Sequence, residues 1–315
     1  MFFLSLLNPE NDNNRNNIFG RIKNYGHKEY NSGLEIISLF GEFNNELLKN
    51  TKKENIFSNL IKDAIDKLSK NKKYDAYKLT KFEFKEPIKN SQSFIVNIIN
   101  KINEEFIESN KNINIPYTKS NRNEYNDYKE IEKKINLESK AFNIFSIISK
   151  TYSNEKCCKS FDKYIFKYNI QQLISLENQT EEYCGFSDIL NENFKIKIEN
   201  INICPYCHKT IIKKEETKIM KLPKILIFTI INKKEIFIKP DLFIDMKNYI
   251  DSTLKEYNTG YKLFVINMWN NHNVDCIVKR KEKWYEISEI NEIKEIDRLG
   301  FNNNICGLFY EKVIK

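Results

Sequence analysis

The sequence predicts an α+β fold, and two contrasts along the chain predict it. Up to about residue 150, apolar residues recur three and four positions apart, which is helical spacing. Beyond that point they gather into short runs rich in Ile, Phe, Val and Tyr with turn-like ends, which read as strands. Helices first and strands second argue for a segregated α+β domain and against alternating βαβ units. A length of 315 residues, 41% hydrophobic and 30% charged, suits a globular chain with a substantial core.

Taken in order, residues 8–17 (NPENDNNRNN) are polar, contain Pro9 and read as a loop. From about Ser32 the residues Leu34, Ile36, Ile37, Phe40 and Phe43 predict a helix. A second helix is predicted over roughly 54–70. A third covers roughly 91–108, with Phe94, Ile95, Ile98, Ile99, Ile102 and Phe106 on one face. Residues 109–127 are polar around Pro116 and read as a loop or insertion. Strands are predicted at 163–175, 194–203, 224–238, 261–267 and 274–279. No internal repeat is visible.

Asn, Lys and Ile dominate the composition while Gly (8) and Pro (6) are scarce, so arguments from single Asn or Lys residues are weak. The net charge is +8, but no basic stretch is interleaved with aromatics, and direct nucleic-acid binding is not expected. The opening MFFLSLL lacks a basic region and a small-residue cleavage site, so a signal peptide is not expected. No apolar run approaches the ~20 residues of a membrane span. A cytoplasmic or nuclear location is the expectation. Seven cysteines in such a chain are then metal ligands or core thiols rather than disulfides.

One motif stands out. Cys204-Pro-Tyr-Cys207 is followed by Ile219, Leu222-Pro223, Ile225-Leu226 and a predicted strand. Downstream come Ile238, Pro240, Leu242 and Tyr249, then Tyr261-Lys-Leu-Phe-Val-Ile266. His272 follows with Val274, Ile277 and Val278-Lys279, then Trp284, and finally Gly307-Leu-Phe-Tyr-Glu-Lys312. Upstream lie Gly20, Asn31-Ser32-x-Leu34-Glu35, and the run from Phe94 to Glu104-Glu105. In this order and spacing the chain resembles the ubiquitin-specific proteases over about residues 18–312. That family ends a zinc-binding hairpin with C-x-x-C, continues through I-x-x-L-P-x-I-L, and places its catalytic histidine in G-H-Y-x-x-Y-V-K. The resemblance implies a papain-like cysteine protease fold of the ubiquitin-specific protease type. Its parts would be an N-terminal extension (1–17), a helical thumb (about 18–145), β fingers (about 146–220) and a β palm (about 221–315).

The same resemblance implies that the chain is inactive. The nucleophile position falls on Lys28, in Gly26-His27-Lys28-Glu29-Tyr30, and the first cysteine of the chain is Cys157. An amine cannot form the thioester, and it adds positive charge where a thiolate needs a helix N-terminus. The oxyanion-steadying amide position holds Lys23, beside Asn24. The third triad position falls on Ser288, followed by Glu289, and the Q-D-A-x-E-F positions read Lys89, Asn90, Ser91, Gln92, Ser93 and Phe94. His272 alone remains, as a relic. His27 reads as a loop histidine. Cys276, four residues beyond His272 on a strand and so roughly 13 Å along it, reads as a core thiol and not as a new dyad partner.

Cys204 and Cys207 fit half of a tetrahedral zinc site, with Cys157 and Cys158 as the other half. The aligned first ligand is Glu155, and Glu155, Cys157 and His208 are all candidates for the fourth position. The competing reading is a degenerate hairpin held by packing alone. Structural zinc is the only cofactor the sequence suggests. The functional expectation is a non-catalytic interaction or scaffold module. Its candidate partners are ubiquitin, a ubiquitin-like protein, or a multi-subunit assembly such as the RNA-processing complexes in which inactive relatives sit. The basic balance mildly favours a partner other than ubiquitin, whose face near its tail is itself basic. The rival readings are an active thiol-dependent deubiquitinase using another cysteine, and a purely structural subunit.

Overall fold

The computed structural model describes residues 33, 34, 36–70, 74, 76–84, 87, 88, 91–106, 131–133, 139–156, 160–204, 206–252, 258–270, 273–280, 282–287 and 293–313. Its first part is helical: α1 (Gly41–Asn50), α2 (Ile56–Ser69), a 3-10 turn (Ala76–Lys81), α3 (Ser91–Phe106) and the single turn α4 (Lys140–Asn143). Strands dominate the rest, interrupted by α5 (Phe186–Phe194). The chain is therefore mixed α+β, in the predicted order.

The helices form where their apolar residues can share a face. On α2, Phe57, Ile61, Ala64 and Leu68 recur at helical spacing and are buried. On α3, Phe94, Ile95, Ile98, Ile99 and Ile102 are at most 1% exposed. The two helices are tied end to end by one carboxylate. Glu105, in the last turn of α3, accepts from the Phe57 and Ser58 amides at 2.8 Å each and from Ser58 Oγ at 2.6 Å. Those amides are orphan donors at the α2 N-terminus, where negative charge is also favoured.

Two antiparallel hairpins make a four-stranded sheet. Strands β1 (Ile147–Lys156) and β2 (Ser160–Asn169) form one; β5 (Lys197–Ile203) and β6 (Thr210–Lys221) form the other. Pairing of β1 with β6 joins them in the order β2-β1-β6-β5. Between these hairpins in sequence, the chain visits other sheets. Strand β3 (Gln172–Ser175) runs parallel to β7 (Ile225–Ile231), and β4 (Tyr183–Gly185) runs parallel to β8 (Phe237–Lys239).

The large sheet has the order β13-β12-β11-β10-β14-β7-β3, with β9 (Phe243–Asp245) also on β10. Its remaining strands are β10 (Gly260–Asn270), β11 (Asn273–Arg280), β12 (Lys283–Ile287), β13 (Ile293–Ile296) and β14 (Ile305–Lys312). Alternation divides its side chains between two cores. Ile225, Ile227, Val265, Cys276, Val278, Ile287 and Phe309 join the helices in one cluster. Leu226, Phe228, Ile266, Leu308 and Tyr310 face the other way, with Phe186, Ile189 and Leu190 of α5. The first cluster is stitched by rings: Phe40 lies 5.4 Å from Phe145, 5.7 Å from Phe309 and 5.9 Å from Phe264 between centroids.

Three predicted strands have different limits. The 163–175 run is two strands in different sheets, β2 and β3, broken where Ile170 turns into the core. The 224–238 run is β7 and β8, parted by a turn in which Glu235 adopts φ 55°. At 194–203 the strand starts at Lys197, because Phe194 ends α5 with its ring on Tyr249 at 5.1 Å. Among the described residues, no helix is long and apolar enough to cross a membrane.

Candidate functional site

Two places concentrate polar chemistry: the seam between α3 and the large sheet, and the turn at Cys204–Cys207. The seam is built on one register row. Thr229 of β7 pairs with Gly307 of β14, Gly307 with Asn267 of β10, and Asn267 with Cys276 of β11. Ser91 and Gln92, the first residues of α3, lie over this row. Ser91 Oγ donates to Asn267 Oδ1 at 2.8 Å, and Gln92 Nε2 donates to Thr229 Oγ1 at 3.0 Å. Thr229 Oγ1 in turn donates to Gln171 Oε1 at 2.5 Å.

Glycine at 307 leaves room for this amide, since a Cβ there would stand 2.4 Å from Gln92 Oε1 and displace it. Ser91, Gln92 and Asn267 are all buried. Gln92 Oε1 and Asn267 Nδ2 make no hydrogen bond among the described residues. The row holds hydroxyls, amides and a thiol, groups that can position a neighbour by hydrogen bonds.

The thiols here are poor nucleophiles. Cys306 Sγ donates to the Asn267 carbonyl at 3.5 Å, and burial pushes it up from 9.0 to about 12. Cys276 is 1% exposed in the core, as its sequence context predicted. Cys184, below the other face of the sheet, is raised first by burial and then by the carboxylates of Glu181 and Asp188. A catalytic thiolate needs the opposite shift.

The residues singled out for catalysis, Lys28, His272 and Ser288, lie outside the described residues, as do Cys157 and Cys158. Their nearest described neighbours are placed. The β10–β11 hairpin closes on the Asn270–Asn273 pair, and β12 ends at Ile287, which pairs with Cys276. Sequence reasoning treated Ser91 and Gln92 only as departures from a motif and did not single out Thr229, Gln171 or Asn267. No local pattern marks them, because they meet only through sheet register.

At the second place, the chain after β5 wraps into a tight turn. The Lys209 carbonyl accepts from the Cys204 amide at 2.8 Å, and the Cys204 carbonyl accepts from the His208 amide at 2.9 Å. His208 takes the left-handed conformation, φ 56°, that closes such a turn. Cys204 is buried, Cys207 half-buried and His208 exposed. The β1–β2 hairpin turns at the same end of the sheet. Its last pair is Lys156–Ser160, and Lys156 faces Ile212, two residues from the Thr210 that pairs with Ile203.

Glu155 pairs with Phe161 and with Lys213, whose ammonium is held protonated first by its hydrogen bond to Glu215 and only weakly by Glu199 and Glu155. That row is three rows from Ile203–Thr210, or roughly 10 Å along the strand. Two thiols on a closed turn suit half of a soft-metal site. Among the described residues no group of three or more metal-binding side chains assembles.

No protein-family model matches the chain, and no curated protein matches it.

Proposed function

We propose that the chain is a catalytically inactive ubiquitin-specific-protease-like domain that acts as a protein-interaction module. In this reading the helices are the thumb, the four-stranded sheet the fingers, and the large sheet the palm of a papain-like fold. The order of elements supports it: two antiparallel hairpins, one bearing Cys204 and Cys207 at its turn, and a long antiparallel pair in the large sheet whose last described pair is Asn270–Asn273. Ubiquitin, a ubiquitin-like protein or subunits of a larger assembly are the partners this fold would take.

One observation carries the inactivity: no cysteine precedes Cys157, so the lobe that supplies the nucleophile in that family has no sulfur at all. The Cys306 and Cys184 thiols, both raised above their ordinary value, do not replace it. A ubiquitin probe with an electrophilic C-terminus should give no covalent adduct, and a ubiquitin–fluorophore conjugate should not be turned over. An adduct lost in one cysteine-to-serine variant would overturn the proposal in favour of an active thiol hydrolase.

Zinc belongs to the same proposal. Cys204 and Cys207 would hold it together with Cys157 and Cys158. When bound, the ion would supply a structural crosslink and no chemistry of reaction. Purified protein should carry about one equivalent of zinc, reduced in Cys204→Ser; metal-free protein of unchanged thermal stability would sink this part.

A further inference from the structure

The four-stranded sheet ends in an open edge. Strand β5 pairs with β6 on one side only, and among the described residues nothing pairs with its other side. Such an edge presents a row of free N–H and C=O groups, and natural proteins usually blunt it. Here the three residues Lys197, Ile198 and Glu199 are all exposed, Ile198 at 69%. Lys197 and Glu199 guard this stretch with charge, while Ile198, the second residue of β5, is left open between them.

The charges along this edge are ordered. Lys197 pairs in register with Glu215, and Glu199 with Lys213. One row of that face therefore reads Glu155–Lys213–Glu199 across β1, β6 and β5. The adjoining row reads Ser153–Glu215–Lys197. Lys213 and Glu215 are already joined at 2.7 Å. Lys197, at the open end of its row, makes no ion pair among the described residues.

We propose that β5 is a self-pairing edge: a second copy of this chain adds its own β5, antiparallel, about a two-fold axis through Ile198. The pattern cation–isoleucine–anion is its own complement when reversed. Lys197 meets Glu199 of the second copy, Glu199 meets Lys197 of the second copy, and the two Ile198 side chains meet on the opposite face. The alternation of charge then runs on across the axis: Glu155, Lys213, Glu199, then Lys197 and Glu215 of the second copy.

The alignments nearest to this one fail on the same residues. An axis through residue 197 opposes lysine to lysine, and one through residue 199 opposes glutamate to glutamate. Parallel in-register pairing opposes every like charge. A shift by one residue sets Ile198 against a charge on the wrong face. The device thus favours one closed, isologous dimer over an open fibre. Ile212, which pairs with residue 200 and is 48% exposed, adds apolar surface diagonal to Ile198, whose direct neighbour on β6 is Lys214. This surface is independent of any proteolytic or ubiquitin-related role.

Sedimentation of the full chain should show a reversible dimer in the micromolar range, with amide exchange in residues 197–200 slowing as concentration rises. By symmetry, each single reversal, Lys197→Glu or Glu199→Lys, creates two like-charge contacts and should weaken association at least about tenfold. The double swap Lys197→Glu/Glu199→Lys restores opposite pairs and should restore the dimer. All these side chains are exposed, so circular dichroism should be the same for every variant. A wild-type monomer, a dimer untouched by the single reversals, or a double swap that fails to recover each overturns the proposal.

Discussion

Cys306 sits beside the seam row with its thiol raised from 9.0 to about 12 by burial. In the unfolded chain the same thiol ionises near its ordinary value. Above pH 9.0 the unfolded state therefore binds fewer protons than the folded state, and stability falls as pH climbs through the window from 9.0 to about 12. The limiting slope is about 1.4 kcal/mol per pH unit. Denaturant melts of wild type and Cys306→Ala across that window should show a smaller alkaline loss in the variant; equal slopes would remove Cys306 as the cause. His208 makes a second point at this scale. A non-glycine residue with φ 56° closes the Cys204 turn, a conformation that costs about 1–2 kcal/mol for an L-residue.

Among the elements, α2 and α3 depend on Glu105 more than on their own ends. Asn55 precedes α2, yet its side chain makes no cap bond to the helix; its Oδ1 accepts from Lys52 N instead, at 2.7 Å. The cap comes from Glu105, about fifty residues later in the chain. Glu105→Ala should cost about 2 kcal/mol in urea unfolding, and Glu105→Gln about half of that, since an amide still offers one acceptor. Loss below a few tenths of a kcal/mol would show that water replaces the carboxylate. The sequence made α2 and α3 legible because both bury a single apolar face. The hydrophobic strands β7, β10 and β11 were legible for their β-branched and aromatic runs. Strands β1 and β6 were not. Ser149, Lys150, Thr151, Ser153 and Asn154 are polar yet buried between neighbouring strands, and β6 reads as a charge run, KKEETK. Their partners, such as Thr151 Oγ1 against Thr217 Oγ1 at 2.9 Å and Lys150 against Asp251 at 2.6 Å, are far away in sequence. The seam was hidden for the same reason: Ser91 and Asn267 touch across 176 residues of chain.

Over the whole molecule, the helical half and the large sheet share one core. Phe40, Phe145 and Phe309 come from the residue before α1, the chain after α4 and the last described strand, and their rings pack together. Truncating such a centre, as in Phe309→Ala, should cost about 3–5 kcal/mol. Both tryptophans, Trp269 and Trp284, lie in the large sheet, whereas the helical circular-dichroism signal comes mainly from the other half. The two signals should melt together in wild type and variant alike. Separate midpoints would show two independently stable units instead of one.

The order β10-β14-β7 has a consequence for how the protein is made. Strand β14 follows every other strand in sequence yet lies in the middle of the large sheet, where it alone bridges β10 and β7. During synthesis those two strands leave the ribosome first and wait with unpaired inner edges. A nascent chain lacking β14 exposes two sticky flanks that suit aggregation or chaperone capture. A chain that stops before Ile305 would therefore be far more damaged than one that loses an outer strand of equal length, because it lacks the keystone of the sheet.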